Sequence, residues 1–314
     1  MTLSSEEITR LCDAWCAAST TPEGGMAIGR TSEQYRLLAN KIIFHELDYQ
    51  ALCAAILGTA KVLLRPGLNT IIDQDHFWLW AWCGELLLSP RAKIFSHEQH
   101  EIKTLFETSI RSSLAGCRKP PANREEWEEQ NRISELQPHH SKYFLNNSHV
   151  VLSYLGFPLL EAVTKRACSV YVDFDGSVIS QFQVLRRNGT PKSYDPSGSY
   201  SQQQCSSLRD LLFLLFNQAA DQDLVHSLDI FRTHLSNLDN TLDPFDLIYK
   251  WRNQSLHGSI NCQTIGGTLL SLSLLIAISE KKQNFEQHRN KILEHCRWEV
   301  RSGYRSPWSY YPPY

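Results

Sequence analysis

The stretch Asp243-Pro244-Phe245-Asp246-Leu247-Ile248-Tyr249-Lys250-Trp251-Arg252-Asn253-Gln254-Ser255-Leu256-His257-Gly258 decides how this chain is read. Asp at the cap, Pro at the first helical position and an acid three residues after the cap make a strong helix start. Phe245, Leu247, Ile248, Trp251 and Leu256 spread around much of the circumference, so the helix belongs inside a bundle rather than on its surface. Gly258 suits the left-handed stop after the last turn. His257 then sits at a helix C-terminus, where the macrodipole favours its protonated form. An imidazole held there can alternate between base and acid near neutral pH.

The same stretch sets a permanent cation, a carboxamide and an imidazole within six residues. Asn253 and His257 are four apart and share a face, so the amide can hold one ring nitrogen. Arg252 precedes His257 by five, roughly 140° around an ideal helix, so one helix aims the two groups at different places. Two copies meeting across a two-fold axis supply both to one phosphate. Such a set stabilises a pentavalent phosphate and moves a proton without any metal, as RNA cleavage by the RNA's own 2′-hydroxyl requires. On spacing alone the stretch also reads as ordinary capping, with His257 bonding the final carbonyls.

Outward from this helix the chain is mainly α. Ser4 or Ser5 caps a helix to about Ala18. Periodic runs follow over 32–64, interrupted near His45–Tyr49, then through Phe77, Trp78, Trp80 and Trp82, and over 96–114. Residues 1–118 form an N-terminal helical domain of unknown role, and 119–146 a linker with a polar helix. Residues 147–302 form a helical bundle, and 303–314 a Pro- and Tyr-rich tail suited to a protein partner. In the bundle, Asn146 or Asn147 caps a long helix to about Ala167, with Tyr154 on its apolar side. Strand-like segments 169–173 and 178–184 flank Asp175-Gly176 as a small β-hairpin insertion. Helices over 206–217, 221–235, 243–257, 264–279 and 282–301 complete it.

A length of 314 residues, 42% hydrophobic and 20% charged, fits a soluble globular protein. A net charge of −2 argues against non-specific grip on long duplex DNA but allows a local basic pocket. The polar, acidic start carries no secretory signal, and nine scattered cysteines without a Cys-x-x-Cys pair read as reduced thiols. The cytoplasm is the expected location. Cys262–Ser279 carries no charge over nearly a membrane thickness, but its Gln, Gly and Ser content suits a helix buried within a bundle. No membrane association, cofactor or metal is expected.

Trp251 to Gly258, preceded by Tyr249, resembles the signature of the HEPN superfamily in the form where Asn follows Arg and Gly follows His. The upstream order is similar too: a long helix containing Leu155-Gly156-Phe157-Pro158-Leu159-Leu160-Glu161, a hairpin insertion, then a helical bundle. The likeness covers about residues 147–280. It implies a metal-independent endoribonuclease acting as a homodimer on RNA, tRNA or single-stranded, and leaving 2′,3′-cyclic phosphate and 5′-hydroxyl ends. By matching position, His257 is the general acid/base, Arg252 holds the phosphate and Asn253 orients His257. Many relatives are toxins or antiviral nucleases, and some are inert scaffolds, so a non-catalytic dimerisation module is the competing expectation. In one toxin subgroup a Tyr two residues after the His is the target of a nucleotidyltransferase antitoxin, and here that position is Ser259. Glu161 and Lys165, four apart, either pair with each other or face the site.

Other motifs carry less. Asp173-Phe174-Asp175-Gly176 imitates the opening of haloacid-dehalogenase-like phosphohydrolases, whose chemistry needs a parallel sheet downstream, whereas apolar helices follow here. His97 and His100 are three apart rather than four and miss the zinc-helix spacing. The tryptophans at 78, 80 and 82 read as buried core before they read as a base-stacking platform.

Overall fold

Several of the helices begin where a side-chain oxygen caps them. In the computed structural model, which describes residues 4–21, 29–64, 72–115, 123–256 and 262–303, Ser4 and Glu7 form a reciprocal capping box on α1 (Ser5–Ala18). After a single turn, α2 (Arg30–Glu33), the sequence run over 32–64 becomes two 3₁₀ turns and then α3 (Tyr49–Leu63), capped by Asp48. Asp73 caps α4 (Gln74–Leu88). Next come α5 (His100–Ala115), α6 (Arg124–Leu136), α7 (His139–Asn146) and the long α8 (Ser148–Ala167). A two-stranded antiparallel sheet, β1 (Phe182–Leu185) with β2 (Pro191–Tyr194), precedes a single turn, α9 (Tyr200–Gln203). The chain closes with α10 (Leu208–Leu214), α11 (Gln222–Ser236), α12 (Pro244–Leu256), α13 (Cys262–Ser279) and α14 (Phe285–Arg301). The protein is mainly α with a small hairpin, as the sequence pattern indicates.

α13 is the axis of the molecule. Leu269, Leu270, Leu272, Leu274, Leu275 and Ile276 are all fully buried, so apolar residues cover every side of it. It packs chiefly on α8, with α3 and α4 alongside. Glycine sets that approach. A Cβ on Gly266 would lie 2.9 Å from the Ser153 backbone nitrogen, and one on Gly156 would lie 2.9 Å from Leu269 Cβ. One continuous cluster of buried apolar side chains runs from Ile8 to Cys296, so helices of both sequence halves share a core. Trp80 and Trp82 are fully buried in it, and Trp80 Nε1 donates to Ser271 Oγ at 3.2 Å. Their burial settles them as packing rather than as a platform for bases. Among the described residues no single helix is long and apolar enough to cross a membrane.

The hairpin is displaced from its expected register. The Asp175-Gly176 turn is present, with Gly176 at φ +93, but only one bridge, Val172 to Val178, closes it. The ladder forms one step later, Phe182 opposite Tyr194 and Leu185 opposite Pro191. The reason is packing: Phe182 and Tyr194 are buried and stacked with centroids 4.6 Å apart, whereas Val170 and Ile179 stay exposed. Asp175 spends its carboxylate on the amide and hydroxyl of Ser177 within an exposed turn. With two strands in the only sheet among the described residues, the setting a phosphohydrolase aspartate needs is missing.

Candidate active site

Two anchors hold α12 by its ends. At the start, Asp243 Oδ1 accepts from the Phe245 amide at 2.9 Å, so the expected cap forms. Asp246 does more than face the helix dipole. Its Oδ1 accepts from Arg187 Nε and Arg209 Nε, both at 2.7 Å, while Arg209 Nη1 reaches the Leu185 carbonyl at 2.8 Å. Next to Arg209, Asp210 accepts from Tyr194 Oη at 2.7 Å and Lys192 Nζ at 2.9 Å. The hairpin is thereby tied to the first turn of α12 by a chain of charges whose centre, Arg209, Asp210 and Asp246, is buried. Burial alone would raise the Asp210 carboxyl, but the hydrogen bonds and charge of Lys192, with Tyr194 and Arg209, hold it below the usual range. Burial first, then the neighbouring Cys205 and Asp210, push the Tyr194 phenol far up.

The other anchor lies at the end that carries the candidate residues. Tyr154 of α8 donates its hydroxyl to the Ser255 carbonyl at 3.0 Å, and Ser255 Oγ donates to the Arg252 carbonyl at 2.7 Å. One turn closer to the middle of α12, Arg252 Nη2 meets Glu161 Oε2 at 3.3 Å. The other oxygen of Glu161 meets Lys165 Nζ at 3.0 Å, and Lys165 also donates to the Phe174 carbonyl at 3.1 Å. Glu161 and Lys165 therefore pair with each other and also face the candidate site. One carboxylate lies between two cations, leaving a net positive patch. Arg252 is about a third exposed and spends only one nitrogen, through a long contact, on Glu161. A guanidinium has five N–H donors in a fixed fork, so it retains donors for a phosphate oxygen.

A cleft of about 310 Å³ adjoins this patch, between the start of α5 and α8. Ile102, Leu105, Pro158 and Ala162 give it an apolar floor, while Glu98, Glu101, Glu161 and Lys165 supply polar atoms. Its size is within the range of small-molecule sites, roughly 300–1,000 Å³.

Of the candidate residues, Arg252, Glu161 and Lys165 come together, and Asn253 lies exposed on the same helix. His257, with Gly258 and Ser259, lies outside the described residues, as do residues 304–314 of the tail. Tyr154 was not expected in the site. Sequence periodicity places it among apolar positions, whereas its ring is partly exposed and its hydroxyl fastens the end of α12. The available signal was the row Tyr154, Pro158, Glu161, Lys165, one stripe of α8 at helical spacing. His97 and His100 are exposed, and no group of three or more potential metal ligands converges among the described residues. No protein-family model, curated protein or solved structure matches the chain.

Proposed function

We propose that the chain is a metal-independent endoribonuclease of the HEPN type, with a site assembled from α12 of two copies. The observation that carries the reading is the partly exposed Arg252, oriented by Glu161, which Lys165 holds in turn, beside a helix end fastened by Tyr154. In the reaction, His257 removes the proton from the ribose 2′-hydroxyl, whose oxygen attacks the adjacent phosphorus. Arg252 neutralises the charge that gathers on the non-bridging oxygens, and Asn253 orients the imidazole. His257 then returns a proton to the departing 5′-oxygen, leaving a 2′,3′-cyclic phosphate and a 5′-hydroxyl. Because Arg252 and His257 point in different directions from an ideal helix, a second copy supplies the missing partner. α7 packs on α8 and exposes Tyr143 and Phe144, and α8 exposes Tyr154, an apolar side suited to such a contact. The RNA is tRNA or a single strand, the setting a toxin or antiviral one, and the location cytoplasmic.

The second reading is a non-catalytic dimerisation module, favoured by the ion pair that already occupies part of Arg252. The two separate on purified protein incubated with total tRNA and mixed single-stranded RNA in excess EDTA, followed by analysis of product ends. Cyclic-phosphate ends that vanish in His257→Ala support the nuclease. Cleavage that persists in His257→Ala overturns it, and RNA that stays intact favours the module.

A further inference from the structure

A second polar cleft, of about 360 Å³, opens between α14 and the turn after α4. Arg91 comes from that turn, and Lys291, Glu294, His295, Trp298 and Arg301 come from α14. These five recur at spacings of three and four, so one face of the helix presents them all. Three permanent cations against one carboxylate leave the cleft positive.

Two features of these residues bear on what the cleft can hold. Arg36, Arg166, Arg187, Arg209, Arg232 and Arg252 each meet a carboxylate. Among the described residues, Arg91, Lys291 and Arg301 meet none, although Arg301 Nε donates to the Arg297 carbonyl at 3.3 Å. Trp298 is 55% exposed, as is Trp127, while Trp80 and Trp82 are at 0%; Trp298 is the one that lines this cleft, beside its cations. Its ring lies nearly parallel to the His295 imidazole, 10° between planes and 6.0 Å between centroids, and His295 is backed in turn by Glu299 at 3.6 Å. An open aromatic face beside unpaired cations is the chemistry that receives a base together with its phosphate.

We infer that this cleft binds one nucleotide unit. The base stacks on Trp298, Arg91, Lys291 and Arg301 hold the phosphate, and Glu294 accepts a hydrogen bond from an exocyclic amino group of the base. The site shares no residue with the Arg252–Glu161 patch and stands whether or not that patch cleaves RNA. The same chemistry is offered by a free mononucleotide and by one residue of a single strand.

Binding of the full chain is measured by calorimetry with adenosine monophosphate and by anisotropy with labelled 2′-O-methyl decaadenylate. The oligomer has no free 2′-hydroxyl and survives any cleavage. Trp298→Ala weakens binding about tenfold, Trp298→Phe retains it, and Lys291→Glu weakens it and lowers its salt dependence. Decauridylate, which lacks an exocyclic amino group, binds more weakly than decaadenylate. Binding of the monophosphate identifies a mononucleotide site; binding of the oligomer alone identifies a single-strand site. Either result supports the inference when the binding is weakened in Trp298→Ala. Absence of binding by both probes overturns it, as does unchanged affinity in Trp298→Ala with an unaltered melting curve.

Discussion

Asp246 and Glu161 do the same thing in two places, with opposite consequences. Each carboxylate bridges two cations and ties α12 to a neighbouring element, Asp246 to the hairpin and α10, Glu161 to α8. Around Asp246 the contacts are short, and Arg209 and Asp246 are nearly excluded from solvent while Arg187 closes the network from the surface. Glu161 holds Arg252 through one long contact at the surface and leaves guanidinium donors unspent. A saturated buried network fixes shape, because breaking it strands a charge. An unsaturated one at the surface costs little to rearrange and can exchange one anion for another. In the proposed reaction the phosphate therefore falls to Arg252 rather than to the better-bonded Arg209.

The largest effect on stability is expected at the buried end. Asp246→Ala removes the shared acceptor of Arg187 and Arg209 and should cost about 3 kcal/mol in denaturant unfolding, since Asp210 still faces Arg209. Arg252→Ala should show the reverse pattern. On the proposed ribonuclease reading its cleavage rate falls about 100- to 1,000-fold, while its unfolding free energy stays within about 1 kcal/mol of the parent.

Acid separates the interior from the surface. His76 Nδ1 accepts from the Asp73 amide and Nε2 donates to the Thr59 carbonyl, so the neutral ring is satisfied, and burial, aided by the charge of Arg36, pulls it down to about 4. His45 and His234, lowered chiefly by burial, also fall to about 4. The unfolded chain takes up protons near pH 6.5 that the folded chain refuses, so stability drops as pH falls from about 6.5 to about 4. Asp210 has the opposite origin and a lower window. Its stabilisation is full above its ordinary value of 3.8 and is lost as pH falls through its depressed folded value. Unfolding free energies from urea titrations across this range should fall by an amount on the order of a few kcal/mol, the histidine step first. The smallest expected effect is that of Glu161→Gln, under about 1 kcal/mol on stability. It should still slow cleavage, read as kcat in single-turnover assays, because Arg252 loses its orientation.

Local chemistry is what could be read without the structure. A serine cap at the first helix, the Asp243-Pro244 start, the all-round apolar character of Cys262–Ser279 and the burial of Trp80 and Trp82 all follow from neighbours within a few turns. The hairpin register did not follow, because Asp175-Gly176 is a sound turn whose flanking strands lack the buried aromatic pair that Phe182 and Tyr194 supply. Partners far apart in the chain were equally hidden. Arg252 meets Glu161 across 91 residues and Tyr154 meets Ser255 across 101. Nothing in either segment alone specifies the other; the glycine-mediated closeness of α8 and α13 belongs to the packing of the whole bundle.

A mixture of Arg252→Ala and His257→Ala protein tests the two-copy site most directly, each variant being inactive by itself. If every site takes Arg252 from one copy and His257 from the other, mixed dimers regain one intact site, and about a quarter of parental cleavage returns. Cleavage that stays at the level of the single variants, in a mixture shown to exchange subunits, would contradict the account.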